Sequence, residues 1–177
     1  MDRRTDTEPE GAFDAMRFYL FEQVDVGAAL HAALAQLQDH ARRHAVQVQV
    51  IQPAAFTQHA HRSALMVLLK ALLQNAIQFS PRHGKVTVTV SPQGLAIRDS
   101  GPGMPAGELA QAGRWFWRGA AGRETFRAGI GLALASAVVA SHGWSLHAAN
   151  MRPGMLFVVS WRKLARSVHA KETGDAA

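Results

Sequence analysis

The 177-residue sequence contains no cysteine, a single tyrosine and few acids. Without cysteine there is neither a disulfide framework nor a cysteine-ligated zinc site, and a reducing compartment is compatible. Long apolar runs are also missing. The most apolar stretch, residues 128–140, is 13 residues long and holds two glycines, too short to cross a bilayer. The first residues, MDRRTDTEPEG, lack the apolar segment of a secretion signal. The expectation is a soluble, cytoplasmic unit, whether alone or as the cytoplasmic part of a longer membrane-bound parent. A hydrophobic content of 48% with 18% charged residues describes a globular chain of one core, not a disordered one.

Acids are scarce where they would matter most. Seven of the 13 lie within residues 1–25 and two in the C-terminal tail, so residues 26–170 keep four acids against 15 Lys and Arg. The formal charge of +6 thus understates the basicity of the body, which suits an anionic ligand.

Periodicity divides the chain. Residues 1–22 read as a flexible N-terminus ending in helical spacing (Phe13, Met16, Leu20). Residues 28–45 form a helix through Leu30, Leu34 and Leu37, with His40, Arg42, Arg43 and His44 in its last turns, where cations oppose the helix dipole. Val46–Ile51 alternates as a strand. His61–Phe79 carries an apolar stripe, Leu65, Leu68, Leu69, Leu72, Ala76 and Phe79, stopped by Ser80-Pro81. Lys85–Val90, Leu95–Arg98, Ser145–Ala149 and Met155–Trp161 read as strands, a short helix is expected near Glu108–Ala112, and Gly129–His142 as a helix. Residues 164–177 read as a disordered tail. Five strands in adjacent pairs with three main helices predict an α+β two-layer sandwich: a mixed, mostly antiparallel sheet with helices on one face, spanning residues 23–163.

Several catalytic signatures are absent from the sequence: the phosphate-binding G-x-x-x-x-G-K-[ST], H-E-x-x-H, G-x-S-x-G and H-R-D. Three features remain. Asn75 sits beside the apolar stripe of its helix, although asparagine is a modest helix former; alone, it reads more readily as a half-exposed helical residue. Asp99-Ser100-Gly101-Pro102-Gly103 follows a strand. A carboxylate at a strand end can accept a hydrogen bond from an exocyclic amine, and the glycines let backbone approach a flat ring, but the same residues also make ordinary turns. Gly129-Ile130-Gly131-Leu132 opens a helix, whose N-terminal amides favour phosphate; a glycine hinge is the plainer alternative.

In this order the three resemble the nucleotide-binding boxes of histidine kinases and their relatives, the gyrase, MutL and heat-shock-chaperone ATPases. The resemblance covers about residues 21–161. Phe21-Glu22-Gln23-Val24-Asp25-Val26 resembles the entry to such domains, and Trp115-Phe116-Trp117-Arg118-Gly119 the aromatic box before their lid. It implies the Bergerat ATP-binding fold, ATP and Mg2+ as ligands, and delivery of the γ-phosphate to a histidine on a dimerisation bundle. By the same resemblance Asp99 binds the adenine amino group, and Gly101, Gly103 and Phe79 shape its pocket. Gly129 and Gly131 present amides to phosphate, Arg118 adds charge beside a lid at 119–128, and Asn75 holds the magnesium.

Departures from the family pattern gather at the phosphate end. Ala71 stands where a second polar residue is usual, Gln78 where Lys or Arg is common, His61 where an acid is common, and Arg127-Ala128 where Gly and a small hydroxyl residue are. None of the nine histidines has the Ser-His-Glu-like setting of a phospho-acceptor; His59 and His61 read as surface residues and His142 as a helix cap. The partners implied are ATP and ADP, a dimerisation and phosphotransfer domain of the parent or of another protein, and, indirectly, a response regulator. No nucleic acid is expected, and the isolated domain is expected to be monomeric. The alternative is a degenerate docking module with weak or no nucleotide binding. Two further alternatives, a basic nucleic-acid binder stacking bases on Trp115, Phe116 and Trp117, and a serine kinase of an anti-sigma antagonist, share parts of the same pattern.

Overall fold

A computed structural model describes residues 21–52, 54–105 and 131–162. Seven strands and three helices follow in the order β1 (Glu22–Asp25), α1 (Val26–His44), β2 (Gln47–Ile51), β3 (Thr57–Ala60), α2 (Arg62–Phe79), β4 (Lys85–Ser91), β5 (Gly94–Arg98), α3 (Gly131–Ser141), β6 (Ser145–Asn150) and β7 (Met155–Ser160). Strands β2-β4-β5-β7-β6 form one sheet, parallel between β2 and β4 and antiparallel elsewhere. This is the predicted mixed, mostly antiparallel five-stranded sheet.

Alternation decides which face is covered. Val86, Val88 and Val90 of β4, Leu95 and Ile97 of β5, and Phe157 and Val159 of β7 are buried, and all belong to one core with the helices. Their neighbours on the other face, such as Lys85, Thr89 and Arg98, are exposed. One apolar and one wet face is the habit of a two-layer antiparallel sheet.

Helix α2 is the keel of the helical layer. Leu65, Leu68, Leu69, Leu72, Leu73, Ala76 and Ile77 are all inaccessible, each worth about 1.5–3 kcal/mol for the larger side chains. The predicted stripe omits Leu73 and Ile77, buried because α2 packs between α1 and α3 as well as over the sheet. It also includes Phe79, which is only half-buried. Ser80 closes the helix, with its N–H and Oγ both donating to the Ala76 carbonyl, and Pro81 prevents continuation. At its start the His61 ring accepts from the Ala64 N–H at 3.2 Å, so His61 is a half-buried N-cap and not a surface residue.

Two further differences from expectation concern the chain's entry. Glu22 opens a strand instead of ending a helix, and β1 pairs with β3 as a separate antiparallel ribbon, Glu22 opposite Ala60 and Asp25 opposite Thr57. Asp25 then caps α1, accepting from Ala28 N–H at 2.9 Å. The short helix expected near Glu108–Ala112 and the tail at 164–177 lie outside the described residues.

Candidate functional site: a carboxylate corner and a helix stripe

Strand β5 delivers Asp99 to the sheet's end, where it is 3% exposed. Its Oδ1 accepts two backbone N–H groups, Gly101 at 2.8 Å and Met155 at 3.0 Å, and its own N–H donates to the Met155 carbonyl. No described residue donates to Oδ2. Burial raises the carboxyl above its usual 3.8, and the Gly101 and Met155 N–H groups pull it back in part. The result is an oriented acid with one oxygen committed and no donor on the other among the described residues.

The loop after Asp99 is tied on both sides. Ser100 N–H donates to Ser80 Oγ at 3.4 Å, and Ser100 Oγ donates to the Lys85 carbonyl at 2.6 Å. Gly101 lies against the Phe79 carbonyl, which a Cβ would meet at 2.6 Å, so the loop reaches the last residue of α2 only because no side chain intervenes. Gly103 turns the chain at φ +79°. Gly154, at φ +100°, leaves no room for a Cβ against the Asp99 carbonyl.

Helix α2 connects this corner to the second glycine box. Ala71, Asn75, Gln78 and Phe79 lie three to four residues apart on one face, and all are half-exposed. Among the described residues, a Cβ built on Gly131, the first of these in α3, meets nothing nearer than the Ala71 carbonyl at 4.0 Å. From Ala71 beside Gly131 to Phe79 beside Gly101 is about 12 Å along the axis. Asn75 stands midway. The three sequence features thus fall along one edge of α2.

Such an edge can take a ligand with a flat, amine-bearing ring at the Asp99 end and anionic groups at the α3 end. A magnesium ion suits a site where one protein oxygen is joined by phosphate oxygens and water, and Asn75 carries an amide oxygen on this half-exposed face. Of the predicted residues, Asp99, Gly101, Gly103, Phe79, Asn75 and Gly131 are brought together; Gly129 and Arg118 lie outside the described residues, as do the expected lid and the arginines at 123 and 127. Sequence reasoning missed Met155, Gly154 and Asn150, which hold the acid loop from 50 positions on. The Arg152-Pro153-Gly154 turn was their only signal.

The family model for histidine kinase-, DNA gyrase B- and HSP90-like ATPases matches residues 60–165, and the chain belongs to that family. Sensor protein QseC of Escherichia coli (strain K12) is 33% identical over 98 residues, 55% of this chain and 22% of that protein. Histidine protein kinase DivJ of Caulobacter vibrioides is 30% identical over 150 residues, 81% of this chain and 25% of that protein. The solved structure of the mycobacterial sensor histidine kinase MprB superposes with a TM-score of 0.70 at 28% identity, covering 78% of this chain and 95% of that one. The chain therefore spans about a quarter of the length of the curated relatives it matches. Its family is one of ATPases, which implies an ATP site. No helix among the described residues is long and apolar enough to cross a membrane.

Proposed function

We propose that this chain is the ATP-binding catalytic domain of a sensor histidine kinase, working in the cytoplasm on a histidine carried by a dimerisation domain of its parent or of a partner. The observation that carries the reading is the edge of α2, which links a buried, oriented Asp99 to Gly131 at the start of α3 in a chain of the ATPase family. Asp99 Oδ2 accepts the adenine amino group. Gly101, Gly103 and Phe79 form the ring's bed, and the amides at Gly129 and Gly131 face phosphate, with Arg118 adding positive charge. Asn75 holds the magnesium, which neutralises phosphate charge. The chain's own contribution to phosphoryl transfer is positioning and charge, and the transfer onward to a response regulator belongs to other domains.

Ala71 and Gln78 support a second reading. Both lie on the half-exposed face of α2; Ala71 lacks the second polar group, and Gln78 the positive charge, that the family pattern leads one to expect there. A docking module that binds nucleotide weakly is the alternative.

Titration of the 177-residue protein with Mg-ATP and with ATP in EDTA separates the two. The catalytic reading expects saturable binding, lost in Asp99→Ala, with Asn75→Ala mainly removing the magnesium dependence. A parent that shows no binding at millimolar Mg-ATP favours the docking module; both variants binding like the parent would remove the pocket assignment altogether.

A further inference from the structure

The β6–β7 hairpin grips the Asp99–Met104 segment at both ends. At the first end Met155, opening β7, donates its N–H to Asp99 Oδ1. At the other, Asn150, closing β6, makes two hydrogen bonds to one residue: its Oδ1 accepts the Met104 N–H at 2.8 Å, and its Nδ2 donates to the Met104 carbonyl at 2.7 Å. Asn150 and Met155 are the last paired rung of the hairpin, and the Met151 N–H donates to the Gly154 carbonyl at 2.7 Å to close the turn. The bracket is therefore one rigid unit. It holds the acid with one strand and the far end of the glycine loop with the other.

An asparagine is suited to this because its amide carries an acceptor and a donor in one plane, and so serves Met104 as a neighbouring strand would. The Met104 N–H fixes which amide atom faces it. Gly103 completes the fit: at φ +79° a Cβ there would meet Asn150 Oδ1 at 2.9 Å, so the glycine lets the amide close over the backbone.

We propose that Asn150 is a positioning residue of the nucleotide pocket, one that fixes Gly103 and Met104 as the pocket's floor through the bidentate Met104 clamp and so pre-organises it for adenine. The inference rests on the reading that the Asp99 corner takes adenine. A loop already held in its bound form gives up less freedom on binding than a loose one. Loss of the clamp therefore acts on nucleotide affinity while Asp99 keeps its own partners.

The test uses the 177-residue protein and three forms: parent, Asn150→Leu and Asn150→Asp. Mg-ATP affinity is measured by calorimetry, and exchange of the Met104, Gly101 and Met155 amides by NMR. In Asn150→Leu the affinity should fall about tenfold, with protection lost at Met104 and kept at Gly101 and Met155. Asn150→Asp separates this from general loosening. Its carboxylate accepts the Met104 N–H but repels the Met104 carbonyl, so at neutral pH it should behave like the leucine form. As pH falls and the carboxyl gains a proton, its O–H can donate to that carbonyl, and the affinity relative to the parent at the same pH should recover. Parent-like affinity in Asn150→Leu, or an affinity ratio for Asn150→Asp that ignores pH, overturns the proposal even if the parent binds ATP. A parent that binds no ATP overturns the adenine reading and the positioning role together.

Discussion

Replacing Asp99 by asparagine separates recognition of the base from support of the fold. In the parent, Oδ1 carries the Gly101 and Met155 N–H bonds, and Oδ2, which has no donor among the described residues, is the oxygen proposed to face the adenine amino group. Asparagine keeps an acceptor for the two backbone donors and puts an NH2 where Oδ2 was. Each retained bond weakens, since hydrogen bonds to a charged group contribute about 1.5–3 kcal/mol and neutral ones about 0.5–1.5. Against this, burial already disfavours the ionised acid, and the substitution removes that cost. Unfolding free energy should therefore change by only about 1 kcal/mol. Binding is different: the carboxylate bond to the 6-amino group disappears and two donors face each other. A loss of about 1.5–3 kcal/mol is roughly 10- to 100-fold in Kd. Inosine triphosphate, whose 6-oxo group is an acceptor, should lose little or gain. Calorimetric titrations of both nucleotides into both proteins give the ATP-to-ITP affinity ratio. If Asp99→Asn binds ATP like the parent, or weakens ATP and ITP equally, the acid does not read the base and the argument fails.

Two further outcomes follow from the same geometry. Gly143 sits at φ +65° with nothing within 4 Å of an added Cβ, so Gly143→Ala should cost only the left-handed penalty of about 1–2 kcal/mol; Gly154→Ala adds a clash with the Asp99 backbone worth about 1–3 kcal/mol more, and urea unfolding should show that order. His142 donates from Nδ1 to the Val138 carbonyl at 2.8 Å and accepts the His61 N–H on Nε2 at 3.1 Å; burial lowers its pKa below 6.5, the Val138 carbonyl raises it in part, and electrostatic repulsion from His61 and His59 adds smaller lowering. The neutral ring is thus the folded form. Its stabilisation is complete above pH 6.5 and is lost as pH falls from there toward the depressed folded value, because the unfolded chain takes the proton first. His142→Phe, which keeps a ring against Phe21 and Trp144, should be less stable at pH 7.5 yet lose less on going to pH 5.5 in thermal unfolding. An equal loss in both proteins would remove His142 from the account.

The five strands of the main sheet were legible because each alternates against a covered face: Val86, Val88 and Val90 reveal β4 without help from any other segment. Helix α2 was legible from its stripe, though not its full burial, since a one-sided period cannot show that α1 and α3 flank it. The β1–β3 ribbon escaped. Thr57-Gln58-His59-Ala60 has no apolar alternation and gains its strand form from pairing with residues 32 to 38 positions earlier. At the site the same division holds. Asp99-x-Gly101-x-Gly103 could be read locally as a shaped loop after a strand. Its supports, Met155, Gly154 and Asn150, come from a hairpin 50 residues away, and only register tells which of its amides face the acid.

This division explains why the two ends of the pocket have different freedom to change. The base end is built mostly from backbone: two N–H groups on Asp99, the Phe79 carbonyl against Gly101, and the Asn150 clamp on Met104. Altering it disturbs the sheet's end and the core beside it. The half-exposed edge of α2 that the proposal turns toward phosphate presents the side chains of Ala71, Asn75 and Gln78. Ala71 and Gln78 are half-exposed, contribute no hydrogen bond described here that the fold needs, and lie on a helix held by the residues of its other faces. Ala71 also packs against the core, whereas a charge at position 78 can be lost with little folding penalty, since the caps of α2 are His61 and Ser80. On the proposed reading, adenine binding at the Asp99 corner and phosphate chemistry along α2 are physically separable. Affinity for the adenine ring and the rate of γ-phosphate transfer need to be measured as independent quantities.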